Sequence, residues 1–342
     1  MKPFISIDQQ IELLKERGLL FSETDKACAL LEQYGYYEIV NGYKDTLLET
    51  KDPDRFKKGA TFSQLYSLFS LDKEFQYAVF KATTELERGL KTALSYAIAE
   101  NYGVEEKDYL KRTNYDSGSK NSKGIYEIDK SISTFQKIAN KKLEPYKHYH
   151  EVHGHIPPWI LFKSASFGTM YYFLKLQKSH IKNAVISTMM GLPIELVKSA
   201  GASQSPIRNL FFDTIEIAYK FRNRSAHAGR TYNYRPEITF RYNSILHPRM
   251  NITEADYRIG YGKNDLFTLI SALSFLKNQD IWFNLAFEIQ YKLDIYIKQF
   301  NAEEQAILQA MGLPEQHISH FSNQFSNQST KKNIFFYICN YY

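Results

Sequence analysis

The sequence contains few cysteines and no apolar run long enough to cross a membrane. Its two cysteines, Cys28 and Cys339, belong to no CxxC pair and no zinc-finger spacing, so we expect two reduced thiols. The most apolar stretch, residues 266–276, lies between Asp265 and Lys277 and is shorter than the ~18–20 residues of a membrane span. The N-terminus also lacks the apolar core of a signal peptide. These absences predict a cytoplasmic protein without a membrane segment.

Motifs of several enzyme classes are also missing. The sequence contains neither a GxxxxGK[ST] loop nor a GxGxxG loop after a strand, which argues against nucleotide-dependent chemistry. It has no Gly-x-Ser-x-Gly elbow of the kind that a Ser/His/Asp hydrolase uses. No constellation of paired carboxylates indicates a metal-dependent nuclease, and Asp213 and Glu216 are expected to lie on a helix surface.

A cluster of four histidines in residues 148–155 invites a metal assignment. His150 and His153, with Glu151 between them, have suitable chemistry for metal ligands. However, Gly154 stands where the HExxH spacing of zinc hydrolases requires a histidine. We therefore expect a polar loop near an anionic ligand, with no metal and no cofactor.

The abundant residues are aromatic, and the chain is mildly basic. The sequence has 26 Tyr and 24 Phe, which fill cores and can stack on bases where they are exposed. Its net charge is +6 at pH 7 and its pI is about 8.9. These values are compatible with nucleic-acid binding, but many soluble proteins share them. Apolar residues recur at helical spacing, as in residues 74–101, and neither an internal repeat nor strand alternation is found. The sequence therefore predicts an all-α fold.

One stretch concentrates polar functional side chains at the end of an apolar helical run. Residues 222–233 begin with Arg222 and Asn223 and include His227 and Arg230. If the helix continues through them, Asn223, His227 and Arg230 share one face. Arg222 and His227 are five residues apart, which is about 140° around the helix axis, so they do not stack on each other. A site that uses both needs a bend in the helix, a bridging ligand, or the same segment of a second subunit.

This spacing resembles the ArgX4His motif, with Asn after the Arg, of the HEPN superfamily of ribonucleases. The run that ends at Asn233 resembles the C-terminal signature of bacterial abortive-infection proteins of the AbiD/AbiF type. Several other segments within about residues 5–240 are similar to elements of that family: Asn41-Gly42-Tyr43-Lys44, Glu87-Arg88, Pro157-Pro158-Trp159 and Phe167-Gly168-Thr169.

Each of these further segments also has a purely structural interpretation. Asn-Gly is a turn signal, so residues 41–44 are typical of a packed turn. Surface ion pairs on the helix at 74–101 are the alternative to Arg88 facing a catalytic groove; the expected pairs are Glu85–Arg88 and Glu87–Lys91. Trp159 is expected to anchor its segment in apolar surroundings, and Gly168 to permit a sharp turn or a close helix contact.

The resemblance implies a HEPN-type helical bundle with an N-terminal helical extension and long basic loops. Four regions are expected, unless residues 1–300 form one intertwined domain. They are an N-terminal helical region (1–110), an exposed loop with a short helix (111–155), a HEPN-type core that carries the motif (156–300), and a C-terminal helix with an aromatic tail (301–342).

Metal-independent RNA cleavage needs a group that moves protons and a cation that stabilises the phosphorane. His227 is the candidate for proton transfer, because imidazole groups exchange protons near neutral pH. Arg222 supplies a planar cation for the phosphoryl oxygens, and Asn223 can orient His227 or bond a phosphate oxygen. The expected product carries a 2′,3′-cyclic phosphate.

The residues around the motif are expected to bind RNA. Between Lys220 and Arg249 the sequence has seven Lys or Arg and one acid, Glu237, interleaved with Phe and Tyr. The candidate RNA and phosphate ligands are Arg224, Arg230, Asn233, Arg235, Lys220 and Arg88. A solvated basic loop on a slightly basic protein is the alternative.

The resemblance also implies a biological role, that of an RNA-cleaving toxin or effector in phage defence. It implies a homodimer through the motif helices and a small non-coding RNA that restrains the toxin. The alternative is a non-catalytic RNA-binding protein of the same fold that holds a non-coding RNA. Neither a membrane nor a small-molecule cofactor is expected as a partner.

Overall fold

The computed structural model describes residues 4–199, 205–300 and 303–314, which fold mainly into helices, as the all-α prediction requires. The first helices are α1 (Ile7–Glu16), α2 (Thr24–Tyr34), α3 (Phe62–Tyr102), α4 (Glu106–Tyr109), α5 (Glu127–Ala139), α6 (Tyr146–His148), α7 (Pro158–Leu161) and α8 (Phe167–Lys175). They are followed by α9 (Ser179–Met190), α10 (Ile194–Ser199), α11 (Pro206–Ala226), α12 (Leu246–Arg249), α13 (Glu254–Ile259), α14 (Leu266–Leu273), α15 (Gln279–Gln299) and α16 (Glu304–Met311). Single turns of π- or 3-10 helix cover Tyr37–Asn41, Lys44–Thr46, Arg112–Asn114, Tyr149–His153 and Phe162–Ser164. The strands β1 (Leu48–Lys51) and β2 (Asp54–Phe56) form an antiparallel hairpin.

The long helix α3 lies at the centre of the fold. It has 41 residues and is about 60 Å long, and the side chain of Thr61 caps its start by accepting from the N–H of Gln64. The sequence predicts two consecutive helices here. The structure has one, because buried apolar residues recur at helical spacing without interruption from Leu65 to Ile98. α3 packs against α9, α11 and α15, so the segments on both sides of the exposed loop share one apolar core.

The helix that carries the motif, α11, is held close to α8. Pro206 occupies the first turn of α11, as the sequence predicts. The N–H groups of a first turn have no partner within the helix, so the missing N–H of proline costs no hydrogen bond there. Gly168 of α8 faces Tyr219 of α11, and a Cβ at this glycine would lie 2.9 Å from the tyrosine ring. The expected close helix contact at Gly168 is therefore confirmed. A larger residue at this position would fit only if the ring of Tyr219 moved.

The predicted anchoring of Trp159 is wrong. Its side chain is 40% exposed and lies beside Tyr96 of α3, with the two ring centroids 6.1 Å apart. The neighbours Pro158 and Ile160 are buried instead. A helix as short as α7 has one buried side, and Trp159 lies on the other.

The predicted Asn-Gly turn at residues 41–44 is helical. A π-helical turn covers Tyr37–Asn41, and Gly42 follows with φ −65° and ψ −38°. Tyr43 is buried, and its hydroxyl donates to Asp72 of α3 at 2.6 Å. The burial of this large ring outweighs the local turn preference of Asn-Gly.

The histidine cluster lies at the surface, where Tyr149–His153 form one π-helical turn. No three metal-ligating side chains converge among the described residues. None of the described helices combines the length and hydrophobicity that crossing a bilayer requires. The predicted aromatic tail lies outside the described residues, whereas the expected C-terminal helix is α16.

Candidate functional site

The motif lies at the C-terminal end of α11, and the helix does not continue through it. The last helical residue is Ala226, and His227 is the capping residue, with its N–H bonded to the carbonyl of Asn223 at 3.2 Å. The shared face of His227 and Arg230 required the helix to continue, and the structure shows that it ends before them. The chain turns because Ala228 adopts a left-handed conformation, with φ +55°.

This turn is a Schellman motif. The N–H of Gly229 bonds to the carbonyl of Arg224 at 3.0 Å, and the N–H of Ala228 bonds to that of Ser225 at 3.2 Å. Gly229 is needed where it stands, since a Cβ on it would lie 2.3 Å from Nε of Arg224. Alanine is unusual in the left-handed position, which costs roughly 1–2 kcal/mol for a residue with a Cβ. The end of α11 thus carries local strain beside the proposed site residues.

Arg222 points from α11 towards α3. Its Nε lies 3.6 Å from Oε2 of Glu87, and its guanidinium lies 5.9 Å from the ring centroid of Phe80. The Nη1 group donates to Oδ1 of Asn223 at 3.4 Å. Glu87 also pairs with Lys91 at 2.7 Å, so one carboxylate lies between two cations. The arginine is 28% exposed, which leaves part of its guanidinium accessible from solvent.

His227 faces solvent. Its side chain is exposed, and it forms no hydrogen bond or ion pair with any residue that the structure describes. The structure therefore brings Arg222 and Asn223 into contact, whereas no described residue forms a hydrogen bond or ion pair with the imidazole of His227. The imidazole is therefore accessible to an incoming ligand.

Arg224 and Arg230 are engaged within the fold. Nη1 of Arg230 donates to the carbonyl of Gly42 at 2.5 Å. Nε of Arg224 donates to the carbonyl of Arg230 at 3.0 Å, and its guanidinium lies 5.2 Å from the ring centroid of Tyr234. Both arginines therefore fasten the segment after the turn, and Arg230 joins it to the helical element around residues 41–44.

A buried carboxylate organises this junction, and the sequence interpretation missed its role. Asp72 accepts hydrogen bonds from the N–H of Thr231 at 3.0 Å, the N–H of Tyr232 at 2.7 Å and the hydroxyl of Tyr43. Burial raises the pKa of Asp72, and these hydrogen bonds oppose that shift. An acid among the apolar positions of α3 was the available signal, because a buried carboxylate needs such donors. Gln76, one turn later, donates to the carbonyl of Ala228 at 3.5 Å.

The remaining predicted RNA ligands lie in different surroundings. Arg88 is 71% exposed and pairs with Glu85 at 2.7 Å, so Glu87 is the member of the Glu-Arg pair that approaches the motif. Lys220 is half-buried, with its ammonium 6.0 Å from the ring centroid of the adjacent Tyr219. Asn233 is half-buried as well.

The basic segment after the motif is partly neutralised by acids from other elements. Arg235 lies 3.7 Å from Asp265, the buried capping residue of α14. Arg241 pairs with Asp213 of α11 through two hydrogen bonds, at 2.6 and 3.0 Å. Asp213 is only 8% exposed, so its expected place on the helix surface is wrong. The seven cations of this region thus do not form one uniformly free basic groove.

The fold and site define an all-α protein with an Arg-Asn-x3-His site at the end of a core helix. The chain belongs to the Abi-like protein family, since the model of that family matches residues 29–233, more than half of the chain. The match includes α3 and the motif as far as Asn233, so the predicted resemblance is confirmed at the level of the family. Membership indicates abortive infection, a form of phage defence. No curated protein and no solved structure matches the chain significantly.

Proposed function

We propose that the protein is an abortive-infection effector that cleaves RNA as a metal-independent endoribonuclease of the HEPN type, similar to the AbiD/AbiF group. The observation that carries the proposal is the placement of Arg222, Asn223 and His227 at one helix end. The imidazole of His227 faces solvent, while Arg222 is held against α3 by Glu87. An accessible imidazole and a partly accessible guanidinium at the same helix end are the two kinds of group that RNA cleavage by internal attack requires.

In this reaction the ribose 2′-oxygen attacks the adjacent phosphorus and the 5′-oxygen of the next nucleotide leaves. One group accepts the proton of the 2′-hydroxyl, and another donates a proton to the leaving oxygen. Arg222 stabilises the negative charge on the phosphoryl oxygens, because a guanidinium offers two parallel donors. The products are a 2′,3′-cyclic phosphate and a 5′-hydroxyl, and no metal ion takes part.

A single His227 cannot act as base and acid in the same concerted step. The hydrogen bond from its N–H to the carbonyl of Asn223 keeps His227 at a helix-like position, about 140° from Arg222 around α11. The imidazole and the guanidinium of one chain therefore point in different directions, so one chain holds only half of a site. A homodimer that brings two motif copies to one phosphate would supply both a base and an acid.

A small non-coding RNA that restrains the toxin belongs to the same proposal. Lys220 and Asn233 are half-buried proposed RNA ligands close to the motif in sequence, and Arg88 is an exposed one that pairs with Glu85 on α3. Arg224, Arg230 and Arg235 are engaged by protein groups, so they contribute by shaping the motif segment or by exchanging those contacts for phosphates. The second candidate function, RNA binding without cleavage, is favoured by the lack of a contact between Arg222 and His227 in one chain.

The test compares His227→Ala and Arg222→Ala with the wild-type protein on labelled RNA in the presence of EDTA. Matched controls are His153→Ala and Arg258→Ala, which remove an exposed histidine and an exposed arginine elsewhere. We expect both site variants to lose cleavage and cellular toxicity but to keep RNA binding, while both controls keep all three. Cleavage by both site variants at the wild-type rate would refute the catalytic assignment. If the wild-type protein binds RNA without cutting it, the non-catalytic function is correct.

A further inference from the structure

A pocket of about 460 Å³ lies near the N-terminal end of α11, where that helix adjoins residues of α8 and α9. Charged residues dominate its lining: Lys175, Lys182, Arg208 and Arg241 are cationic, and Asp213 and Glu216 are acidic. Asp213 is already paired with Arg241. The cations of the pocket therefore outnumber its carboxylates, and the volume is in the range of small-ligand sites.

Arg208 and Lys175 lack acidic partners in the part of the chain that the structure describes. Arg208 donates to Oδ1 of Asn183 at 3.2 Å and lies 5.6 Å from the ring centroid of Phe212. The ammonium of Lys175 lies 5.3 Å from the ring centroid of Tyr171. Each cation is thus supported by an aromatic ring and leaves its charge available to an anion.

Burial leaves two of the pocket cations poorly compensated. It lowers the pKa of Arg208, and it lowers the pKa of Lys182 although Asp116 lies 3.7 Å away. The side chain of Lys182 is only 13% exposed. An anion in the pocket would restore the electrostatic balance that water provides to exposed cations.

The pocket and the proposed catalytic residue lie on the same side of α11. Phe212, Glu216, Lys220 and Asn223 follow one another at spacings of three or four residues, so they share one helix face. His227 continues this series through its hydrogen bond to Asn223. At about 1.5 Å per residue, Phe212 and His227 are about 22 Å apart along the axis. A strand of several nucleotides would cover that length.

We propose that this pocket binds a backbone phosphate of an RNA strand that runs along this half-buried face of α11 to the exposed His227. What happens at His227 rests on the proposed nuclease function, whereas the binding of phosphate in the pocket does not. The cations neutralise the phosphate, and Tyr172, 48% exposed and also beneath Lys175, offers a ring on which a base can stack. A free nucleotide is the other possible source of the same chemistry.

The test measures binding of a fluorescent 12-nucleotide RNA with 2′-O-methyl groups, which cannot be cleaved by internal attack, to the full-length protein. The pocket variant is Lys175→Gln with Arg208→Gln. The matched control, Lys26→Gln with Lys58→Gln, removes two exposed cations near the N-terminus. We expect the pocket variant to bind about tenfold or more weakly, and its log–log salt slope to decrease by about 0.7, since that is the contribution of one single-strand phosphate contact. The control should bind like the wild type.

A second variant keeps the test decisive if the first does not fold. Thr239→Glu places a negative charge at the exposed edge of the pocket and should weaken RNA binding in the same direction. Wild-type RNA affinity in either folded pocket variant overturns the proposal. If AMP binds to the pocket and the variants lose AMP but not RNA, the site takes free nucleotides and the RNA assignment is wrong.

Cleavage of unmodified RNA separates this proposal from the nuclease function. If His227→Ala cuts RNA normally while the pocket variant binds weakly, the nuclease assignment fails and the pocket stands. If His227→Ala is inactive while the pocket variant binds normally, the pocket proposal fails alone.

Discussion

The Nε atom of Arg222 lies 3.6 Å from Oε2 of Glu87, and no atom of the described residues accepts a hydrogen bond from it. Glu87 is almost fully buried and also pairs with Lys91 at 2.7 Å. A single carboxylate of α3 therefore holds the proposed phosphate-stabilising cation at the end of α11. Arg222 therefore lies beside its partner without a hydrogen bond from Nε, and 28% of its side chain is exposed.

Replacing Glu87 by Gln should impair catalysis more than binding. The substitution keeps the shape but removes the charge that positions Arg222, and small displacements of such groups cost about tenfold to a hundredfold in rate. We expect kcat to fall within that range while KM changes little. Glu85→Gln is the control, because Glu85 pairs with Arg88 on the exposed side of the same helix. Equal turnover numbers for Glu87→Gln and wild type would show that this carboxylate does not position the arginine.

Ala228→Gly should stabilise the protein. Ala228 has φ +55°, and glycine removes the roughly 1–2 kcal/mol cost of this conformation, partly offset by its greater freedom in the unfolded chain. We expect the free energy of unfolding to rise by about 1 kcal/mol. Gly229→Ala should do the opposite, because its Cβ would lie 2.3 Å from Nε of Arg224. Urea denaturation of both variants checks the pair, and a destabilised Ala228→Gly would contradict the strain at this turn.

Mixing wild-type and His227→Ala chains should reveal whether one site uses two copies. If both copies must be intact, random pairing at equal amounts leaves about half of the wild-type chains in active dimers. The two kinds of chain are co-expressed so that they pair at random. Activity per wild-type chain should then fall to about one half. His153→Ala chains serve as the control and should leave activity unchanged. Activity that simply follows the amount of wild-type chain would mean that each protomer works alone.

The buried His247 should make stability depend on pH. Burial lowers its pKa below the ordinary value of about 6.5, and the carbonyls of Gly262 and Asn243 near its ring nitrogens oppose the shift. In the neutral ring, Nδ1 accepts from the N–H of Asn243 and Nε2 donates to the carbonyl of Gly262. The folded protein thus favours neutral imidazole. This stabilisation is fully present above the unfolded pKa and is lost as pH falls through the folded pKa.

Thermal unfolding between pH 8 and pH 5 measures this effect. The midpoint of the wild type should fall over the acidic part of the range, and His247→Gln should show a weaker dependence. The exposed His153 is again the comparison, since its removal should not alter the pH profile. A wild-type midpoint that stays constant down to pH 5 would exclude His247 as a source of acid sensitivity.

Much of the fold follows from patterns that are local in the chain. The helical spacing of apolar residues predicts the helix at residues 74–101, now part of α3, and the apolar helical run before Arg222, now α11, because a helix buries one stripe of its own surface. Pro206 was also interpretable, since it acts through its own backbone. The close helix contact at Gly168 was one of two expected roles, and Tyr219 of α11 provides it. The motif of residues 222–233 was recognisable because its members are neighbours in sequence.

The errors concern contacts between distant segments. The segment after the turn at Ala228 is held by Arg230, which donates to the carbonyl of Gly42, and by Asp72, which accepts from the backbone of Thr231 and Tyr232. These residues are more than a hundred positions apart, so no local pattern reveals the interaction. The misplacement of Asp213 has the same origin, because its partner Arg241 comes from another segment.

By itself, the sequence determined the helical class, the family and the group of polar residues at the end of α11. Periodicity of apolar residues indicates helices, and short motif spacings indicate the family and these polar residues. Only the tertiary structure decided that the helix stops at Ala226 and that Glu87, rather than Arg88, approaches Arg222. It also decided that His227 faces solvent. The physical reason is that burial and ion pairing depend on which faces of α3 and α11 meet, and that is settled by the packing of the whole core.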